Sequence, residues 1–281
     1  MIDWWQHLPS HMDPTIFTIG NFPLRWYGTM YILAFFTSFL VVSYIIKKEK
    51  LPYNADFISD AFTWGIIGVL LGGRFGYVLF YGFDSFIHDP ISIIMPFKKI
   101  YGEWRFTGIS GMSYHGGVSG VMIAWALYAR KHKMPFLKLT DLFVAGNALG
   151  FTWGRIGNFI NGELYGRITN SSIGMYFPNA GDGLLRHPSQ LYEGFFEGFA
   201  LFVILWFVRK KITSTGFLSG LYIFGYGFFR FFIEYFRQPD AHLGFVFMNF
   251  SMGQMLCLAM MMGAVIIWIY SKKEYGLTIQ K

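Results

Sequence analysis

Residues 28–46 read GTMYILAFFTSFLVVSYII, a run without a single charge. A stretch of that kind has one stable home. The hydrocarbon core of a bilayer is crossed by a helix of about 20 apolar residues, and a helix is required because no water is present there to satisfy backbone N–H and C=O groups. Similar stretches recur along the chain. Hydropathy places membrane spans at 27–46, 57–81, 109–129, 139–160, 190–208, 216–236 and 247–270. Composition agrees. Of 281 residues 54% are apolar, 21% aromatic and only 14% charged, where a soluble domain carries about a quarter charged residues, and the mean hydropathy is +0.40. These values exclude a disordered chain, a basic nucleic-acid-binding domain and a typical cytosolic enzyme. The expected fold class is all-α: a polytopic membrane helix bundle of seven transmembrane helices, forming a single integral-membrane domain over 1–281.

Charge placement sets the expected topology. The formal +7 is scattered in short runs, Lys47-Lys48-Glu49-Lys50, Arg130-Lys131-His132-Lys133, Arg209-Lys210-Lys211 and Lys272-Lys273. Short basic loops stay cytoplasmic, so an even number of crossings separates each pair. The fourth span holds Asp141, Asn147, Arg155 and Asn158, and a mid-span arginine costs about 2.5–3.5 kcal/mol on the insertion scale. Dropping that span, however, would put Arg209-Lys210-Lys211 outside. Seven spans, amino terminus outside and carboxyl terminus cytoplasmic, is the consistent solution, with small external elements near 82–108 and 161–189. The first twenty residues lack a basic start, an apolar core and a small-residue cleavage site, so a cleaved signal peptide is not expected. Cys257 is the sole cysteine; a disulfide and a cysteine metal site are both out of reach, and no metal or cofactor is expected. Glycines recur every four residues at Gly68, Gly72 and Gly76 and at Gly146, Gly150 and Gly154, the spacing that lets helix backbones approach closely in lipid.

Ionisable groups inside spans are functional-site hypotheses by default. At 1.5 Å rise per residue, Arg155, Arg230 and Arg74 fall roughly 24, 21 and 26 Å from the cytoplasmic ends of their spans, and His115 roughly 9 Å from the outer end of its own. Glu193, Glu197, Glu163 and Glu234 also sit toward outer ends. Buried ion pairs locking helix orientation account equally well for Arg74, Glu193 and Glu197. Arg155 sits in G-R-I-G-N-F-I-N-G-E, a polar and close-packed surface larger than one ion pair needs. Its planar fork suits bidentate phosphate binding and does not lose its charge. His115, within G-M-S-Y-H-G-G-V-S-G, is open to a substrate and suited to general-base work at neutral pH. Tyr226, Arg230 and Glu234 share one helix face. This chemistry leaves two classes open, a lipid enzyme that grips a phosphodiester and a transporter or channel for an anionic solute. The apolar inner half of the spans and their odd number favour chemistry at the outer leaflet.

The run G-R-I-G-N-F-I-N-G-E-L-Y-G-R (Gly154 to Arg167) resembles the signature of the bacterial prolipoprotein diacylglyceryl transferase family. So do H-G-G at His115, R-W-Y-G at Arg25 to Gly28, H-P-S-Q-L-Y-E at His187 to Glu193 and R-F-F-I-E-Y-F-R-Q-P-D at Arg230 to Asp240, all in family order. The resemblance implies a seven-span enzyme of the bacterial inner membrane, working toward the outer leaflet. It would transfer the diacylglyceryl group of phosphatidylglycerol to the lipobox cysteine of a preprolipoprotein signal peptide, releasing glycerol phosphate. It would need no cofactor, and its partners would be phosphatidylglycerol, the preprolipoprotein and the bilayer, with no nucleic acid. Carried over residue by residue, it implies catalytic roles for His115, Arg230 and Tyr226, and phosphatidylglycerol binding by Arg155, Asn158, Glu163, Gly166, Tyr27 and Glu234. A hydrolase acting on the same headgroup is the remaining alternative.

Overall fold

The computed structural model describes residues 2–20, 22–81, 97–100, 103–106, 112–212, 214–238, 245–247 and 250–276. The chain forms two compact units, Met1–Glu49 with Thr140–Lys281, and Lys50–Leu139. Both are predominantly helical. The expected external segment 82–108 falls largely outside the described residues, as do 109–111 at the start of the third expected span and Pro239 and Asp240 of the last motif.

The larger unit begins with a short helix α1 (Ile2–His7) and a hairpin of β1 (Thr15–Ile19) and β2 (Phe22–Arg25). The long helix α2 (Trp26–Lys48) follows. The smaller unit holds α3 (Ala55–Tyr81), a hairpin of β3 (Phe97–Ile100) and β4 (Glu103–Phe106), and α4 (Tyr114–Lys131). The helix α5 (Phe136–Ile160) leads back into the larger unit. There the hairpin of β5 (Met175–Tyr176) and β6 (Leu185–Arg186) precedes α6 (Ser189–Val208) and α7 (Phe217–Ile233). A last hairpin of β7 (Phe245–Phe247) and β8 (Phe250–Ser251) leads into α8 (Met252–Tyr275).

Among the described residues four helices, Trp26–Lys48, Ala55–Phe80, Ser189–Val208 and Met252–Tyr275, are long and apolar enough to cross a membrane, and Phe217–Ile233 is a shorter apolar helix. Large apolar side chains such as Phe36, Leu71, Phe207 and Ile266 stand exposed on them, as lipid-facing surfaces require. The chain is a membrane protein. Helices α4 and α5 fall short of that apolar standard, α5 because Asp141, Asn147, Arg155 and Asn158 interrupt it. Two expected boundaries move. Helix α4 starts at Tyr114 rather than 109 because Ser113 caps it, its Oγ accepting from Gly116 N at 3.2 Å; His115 thus lies in the first turn of the helix. Helix α8 starts at Met252 rather than 247, set by a capping box between Ser251 and Gln254. The all-α expectation holds, and the strands among the described residues form only two-stranded hairpins that precede or join the helices.

Small residues replace large apolar ones where helices meet. In the smaller unit a Cβ on Gly68 would lie 2.6 Å from Gly120 O, and one on Gly76 2.7 Å from Gly116 Cα. The glycine stripe of α3 therefore lies directly against that of α4. Trp125 Nε1 donates to Ala61 O at 2.9 Å and Tyr128 Oη to Phe57 O at 2.9 Å. In the larger unit Gly146 and Gly150 of α5 pack on Ser38 and Ala34 of α2, and Ser38 Oγ donates to Asn147 Oδ1 at 3.2 Å. Gly154 differs, since a Cβ there would meet nothing within 4 Å. The third glycine of the α5 stripe is thus not a packing contact. Asp141 of α5 accepts from Ser219 N at 2.7 Å and Ser219 Oγ at 2.6 Å, capping the start of α7 from a neighbouring helix. At the carboxyl end of α5, Phe159 joins Met175 and Phe177 in an apolar cluster against Trp5, Leu8 and Leu191.

Gly72→Leu pushes a side chain into the Gly116 backbone and is expected to abolish recovery of folded protein from detergent. Gly263→Ala, in open space within α8, is expected to hold or raise the melting temperature, since alanine favours helix by up to about 1 kcal/mol over glycine. Size-exclusion profiles and thermal melts of both variants check this.

Candidate active site

The centre of the larger unit is a buried cluster of two guanidiniums and three carboxyls. Helix α6 is the element that assembles it. Residues Gly194–Ala200 wind as a π-helix, a rare form found frequently at functional sites. Each glutamate of E-G-F-F-E-G is followed by a glycine on which α5 rests. A Cβ on Gly194 would lie 3.2 Å from Arg155 Cβ, and one on Gly198 3.0 Å from Thr152 N. Thr152 Oγ1 donates to Gly194 O at 3.1 Å. This close approach brings Glu193 and Glu197, both 0% exposed, against the arginines.

Glu193 Oε2 accepts from both, at 2.9 Å from Arg155 Nη2 and 2.8 Å from Arg230 Nη1. Arg230 also faces Glu197 Oε1 at 3.8 Å and Glu234 Oε2 at 3.3 Å. Glu234 closes α7, where the helix dipole disfavours a carboxylate. It is offset by the arginine one turn back, by a 3.2 Å hydrogen bond from Ser251 Oγ and by the amino end of α8, where Gly253 leaves it room. Tyr226 hydrogen-bonds Glu197 and packs edge-on against Phe151 at 5.5 Å. The Phe151 ring in turn lies 4.7 Å from the Arg155 guanidinium, a cation–π contact that holds the fork flat. Arg155 Nη1 donates to Asn158 Oδ1 at 3.2 Å, and Asn158 Nδ2 to Glu163 Oε1 at 2.7 Å. Tyr27 joins through hydrogen bonds to Asn158 and Tyr31 and rests on Gly157. Arg155 Nε meets no acceptor among the described residues.

Seven of the nine residues expected at the site are therefore linked in one network: Tyr27, Arg155, Asn158, Glu163, Tyr226, Arg230 and Glu234. Gly166 stands apart from it. Its N–H donates to His187 O at 2.8 Å and it bridges to Arg237, while a Cβ there would lie 2.8 Å from His187 Cβ. Glycine is required there by strand-like packing, since a Cβ would collide with Phe236 O. His115, itself exposed, belongs to the smaller unit, in the first turn of α4, and Arg74 lies in α3 with its guanidinium 6.0 Å from the Tyr77 ring. For Glu193 and Glu197 the sequence leaves orientation-locking ion pairs and a site role equally open; that Glu193 joins both arginines is seen only in the structure. The available signal was H-P-S-Q-L-Y-E running straight into a glycine-spaced helix.

The exit of α5 is fixed by the same motif. Ser189 Oγ donates to Leu164 O at 2.9 Å and Gln190 Nε2 to Glu163 O at 2.6 Å. Leu164 is held at a φ of +58°, a conformation that leucine adopts only when its surroundings impose it. Asp182 is held below the usual carboxylate range by hydrogen bonds from Arg186, and burial pulls the His187 imidazole below its ordinary value. Among the described residues no three His, Cys, Asp or Glu side chains are grouped to hold a metal ion.

Apolar helices enclosing a buried arginine–carboxylate centre define an integral membrane protein with a polar site of its own. Residues 14–270 match the model of the Prolipoprotein diacylglyceryl transferase family. A relative from Chlorobaculum tepidum, named phosphatidylglycerol–prolipoprotein diacylglyceryl transferase, is 59% identical over 98% of this chain and 96% of its own length. Relatives of the same name from Pseudoalteromonas atlantica and Campylobacter curvus are 44% and 42% identical, over 94% and 96% of this chain and 90% and 98% of theirs. The chain belongs to the prolipoprotein diacylglyceryl transferase family and is an enzyme, a transferase, as the motifs from Arg25 to Asp240 implied.

Two predictions follow from this geometry. Glu193→Gln leaves two guanidiniums facing each other without their shared anion, and breaking a buried pair costs about 3–5 kcal/mol. The melting temperature should fall steeply, and the Arg155→Gln, Glu193→Gln double variant should lose less than the sum of the two singles. For His187 the unfolded chain takes up a proton more readily than the folded one, so stability present above pH 6.5 is lost as pH falls through the lowered value. Melts between pH 7.5 and 5 should show a drop that His187→Gln reduces.

Proposed function

We propose that this enzyme transfers the diacylglyceryl group of phosphatidylglycerol to the lipobox cysteine thiol of a preprolipoprotein, releasing glycerol phosphate, the first step of bacterial lipoprotein maturation. The observation that carries the reading is the convergence of Arg155 and Arg230 on one Glu193 oxygen, at 2.9 and 2.8 Å, with the buried Arg155 Nε meeting no acceptor among the described residues. A guanidinium pair fixed in a low-dielectric site binds a phosphodiester and stabilises the charge that gathers on a departing phosphate.

In this proposal the thiol proton passes to a base. The thiolate attacks the glycerol carbon of the lipid, the S–C bond forms as the bond from that carbon to its phosphate-ester oxygen breaks, and the electron pair leaves on that oxygen with glycerol phosphate. Arg155 holds the phosphate, and Asn158 and Glu163 set the angle of its fork through the 3.2 and 2.7 Å hydrogen bonds. Arg230 faces the reacting centre, with Tyr226 and Glu234 fixing its position. Tyr27 orients the amide of Asn158, and Gly166 supports the bound lipid only indirectly, through the backbone behind the site. His115 is assigned as the base from its H-G-G motif and the chemistry of imidazole. The whole chain works as one transferase domain of seven membrane-spanning helices, amino terminus outside and carboxyl terminus cytoplasmic. It resides in the bacterial inner membrane with the site toward the outer leaflet, where a signal-peptide cysteine arrives. The positive runs and the depths of Arg155 and Arg230 along their helices support this orientation.

The test uses purified enzyme, phosphatidylglycerol labelled in its glycerol headgroup, and a lipobox peptide carrying Cys or Ser. Cys-dependent release of glycerol phosphate with a matching mass gain on the peptide is expected; release without peptide would instead identify a hydrolase. Arg155→Lys and Arg230→Lys should each lower kcat/KM by about 10²-fold or more, the usual cost of one charge-stabilising donor. Near-normal turnover of His115→Gln across pH would remove that residue from the base role.

A further inference from the structure

A groove of about 530 Å³ lies between α2 and α6, away from the arginine–carboxylate cluster. Its lining changes character along its length. Leu40 and Val41 of α2 and Phe202 of α6 are purely apolar, Tyr44 and Trp206 come next, and Lys47 stands at the rim. From Leu40 to Lys47 the rise is about 10 Å, a good part of one leaflet. The Tyr44 and Trp206 rings lie 5.5 Å apart, forming an amphipathic collar of the kind found at membrane interfaces.

The charge at the rim is one-sided. Glu49 is the acidic residue of the run Lys47-Lys48-Glu49-Lys50, and it is ion-paired to Arg209. Arg209 also lies over the Trp206 ring at 4.1 Å. That pairing spends the carboxylate of the run on the neighbouring helix and leaves Lys47 and Lys48 as exposed cations beside Lys210 and Lys211. Apolar walls, an aromatic collar and a cationic rim follow the profile of a phospholipid read from acyl chain to phosphate.

We propose that this groove holds one anionic phospholipid, its acyl chain against Leu40, Val41 and Phe202 and its phosphate at Lys47. A signal-peptide helix is the wrong occupant, because its basic amino-terminal region would meet a basic rim. The proposal rests on the topology above only for the leaflet, the cytoplasmic one, that supplies the lipid. The site is distinct from the substrate's, so its lipid need not carry a glycerol headgroup.

The test reconstitutes the full-length enzyme in phosphatidylcholine nanodiscs with a trace of phosphatidylserine bearing a photoactivatable acyl chain, and maps crosslinks by peptide mass spectrometry. Crosslinks at residues 40–47 and 202–206 are expected, at least about fivefold above those from the equivalent photoactivatable phosphatidylcholine. Lys47→Gln should erase that preference, and Ser43→Trp, which fills the groove, should remove the crosslinks while transferase activity persists. Equal labelling by the two lipids, or a preference untouched by Lys47→Gln, overturns the proposal. Lys47→Cys in sealed vesicles reads the leaflet separately. Labelling by an impermeant thiol reagent from the outer face would refute the topology and leave the groove standing, whereas the crosslinks alone decide the groove.

Discussion

One carboxylate oxygen, Glu193 Oε2, holds Arg155 of α5 and Arg230 of α7 from a position on α6. Taking charges out of water costs several kcal/mol per ion unless geometry and hydrogen bonding are good. Inside a membrane protein that cost makes a shared ion pair a strict register constraint. Sliding α6 by one residue would strand Glu193 and leave two like charges facing each other. Three helices are thus fixed in rotation and depth by one group, and the rest of the larger unit is arranged to permit it. Glycine follows each glutamate of α6 so that α5 can approach, Gly253 clears space for Glu234, and Asp141 anchors the far end of α7 to α5.

This arrangement divides labour between packing and chemistry. Lipid offers no hydrophobic drive between helices, so small-residue seams and interhelical hydrogen bonds hold them together. The glycine stripes of α3 and α4 and the Ser38–Asn147 contact of α2 with α5 serve that purpose. The polar cluster adds specificity rather than net stability. Its two arginines are outnumbered by the carboxyls of Glu193, Glu197 and Glu234, and Glu193 holds both guanidiniums in place. Hydrogen bonds fixed in advance at such a site need no rearrangement at the moment of reaction.

Much of this was legible in the sequence, for identifiable reasons. The long apolar helices α2, α3, α6 and α8 fall close to the expected runs because such runs have no other stable form in a bilayer. The residues of G-R-I-G-N-F-I-N-G-E converge because a helix places Arg155 and Asn158 one turn apart. Helix starts at Ser113 and Ser251 moved inward because capping by a serine side chain outweighs hydropathy at a helix end. The central role of Glu193 and Glu197 was hidden, since sequence periodicity assumes an α-helix and their meeting with the arginines depends on a π-helical turn and on which neighbour the glycines admit. Gly154 and Gly166 differ in what surrounds them. The first fits a packing stripe, yet a Cβ there would meet nothing within 4 Å among the described residues, and the second, within the family motif, lies against the backbone of Phe236 and His187.

The account stands on the claim that Arg155 and Arg230 together grip the phosphate of the lipid. Equilibrium binding of a phosphonate analogue of phosphatidylglycerol, with carbon replacing the bridging oxygen that the reaction breaks, tests it without turnover. Wild-type enzyme should bind the analogue, and Arg155→Gln and Arg230→Gln should each weaken binding about tenfold or more, in line with the 1.5–3 kcal/mol of a charged hydrogen bond. Undiminished affinity in both folded variants would contradict the account and move the phosphate elsewhere in the protein.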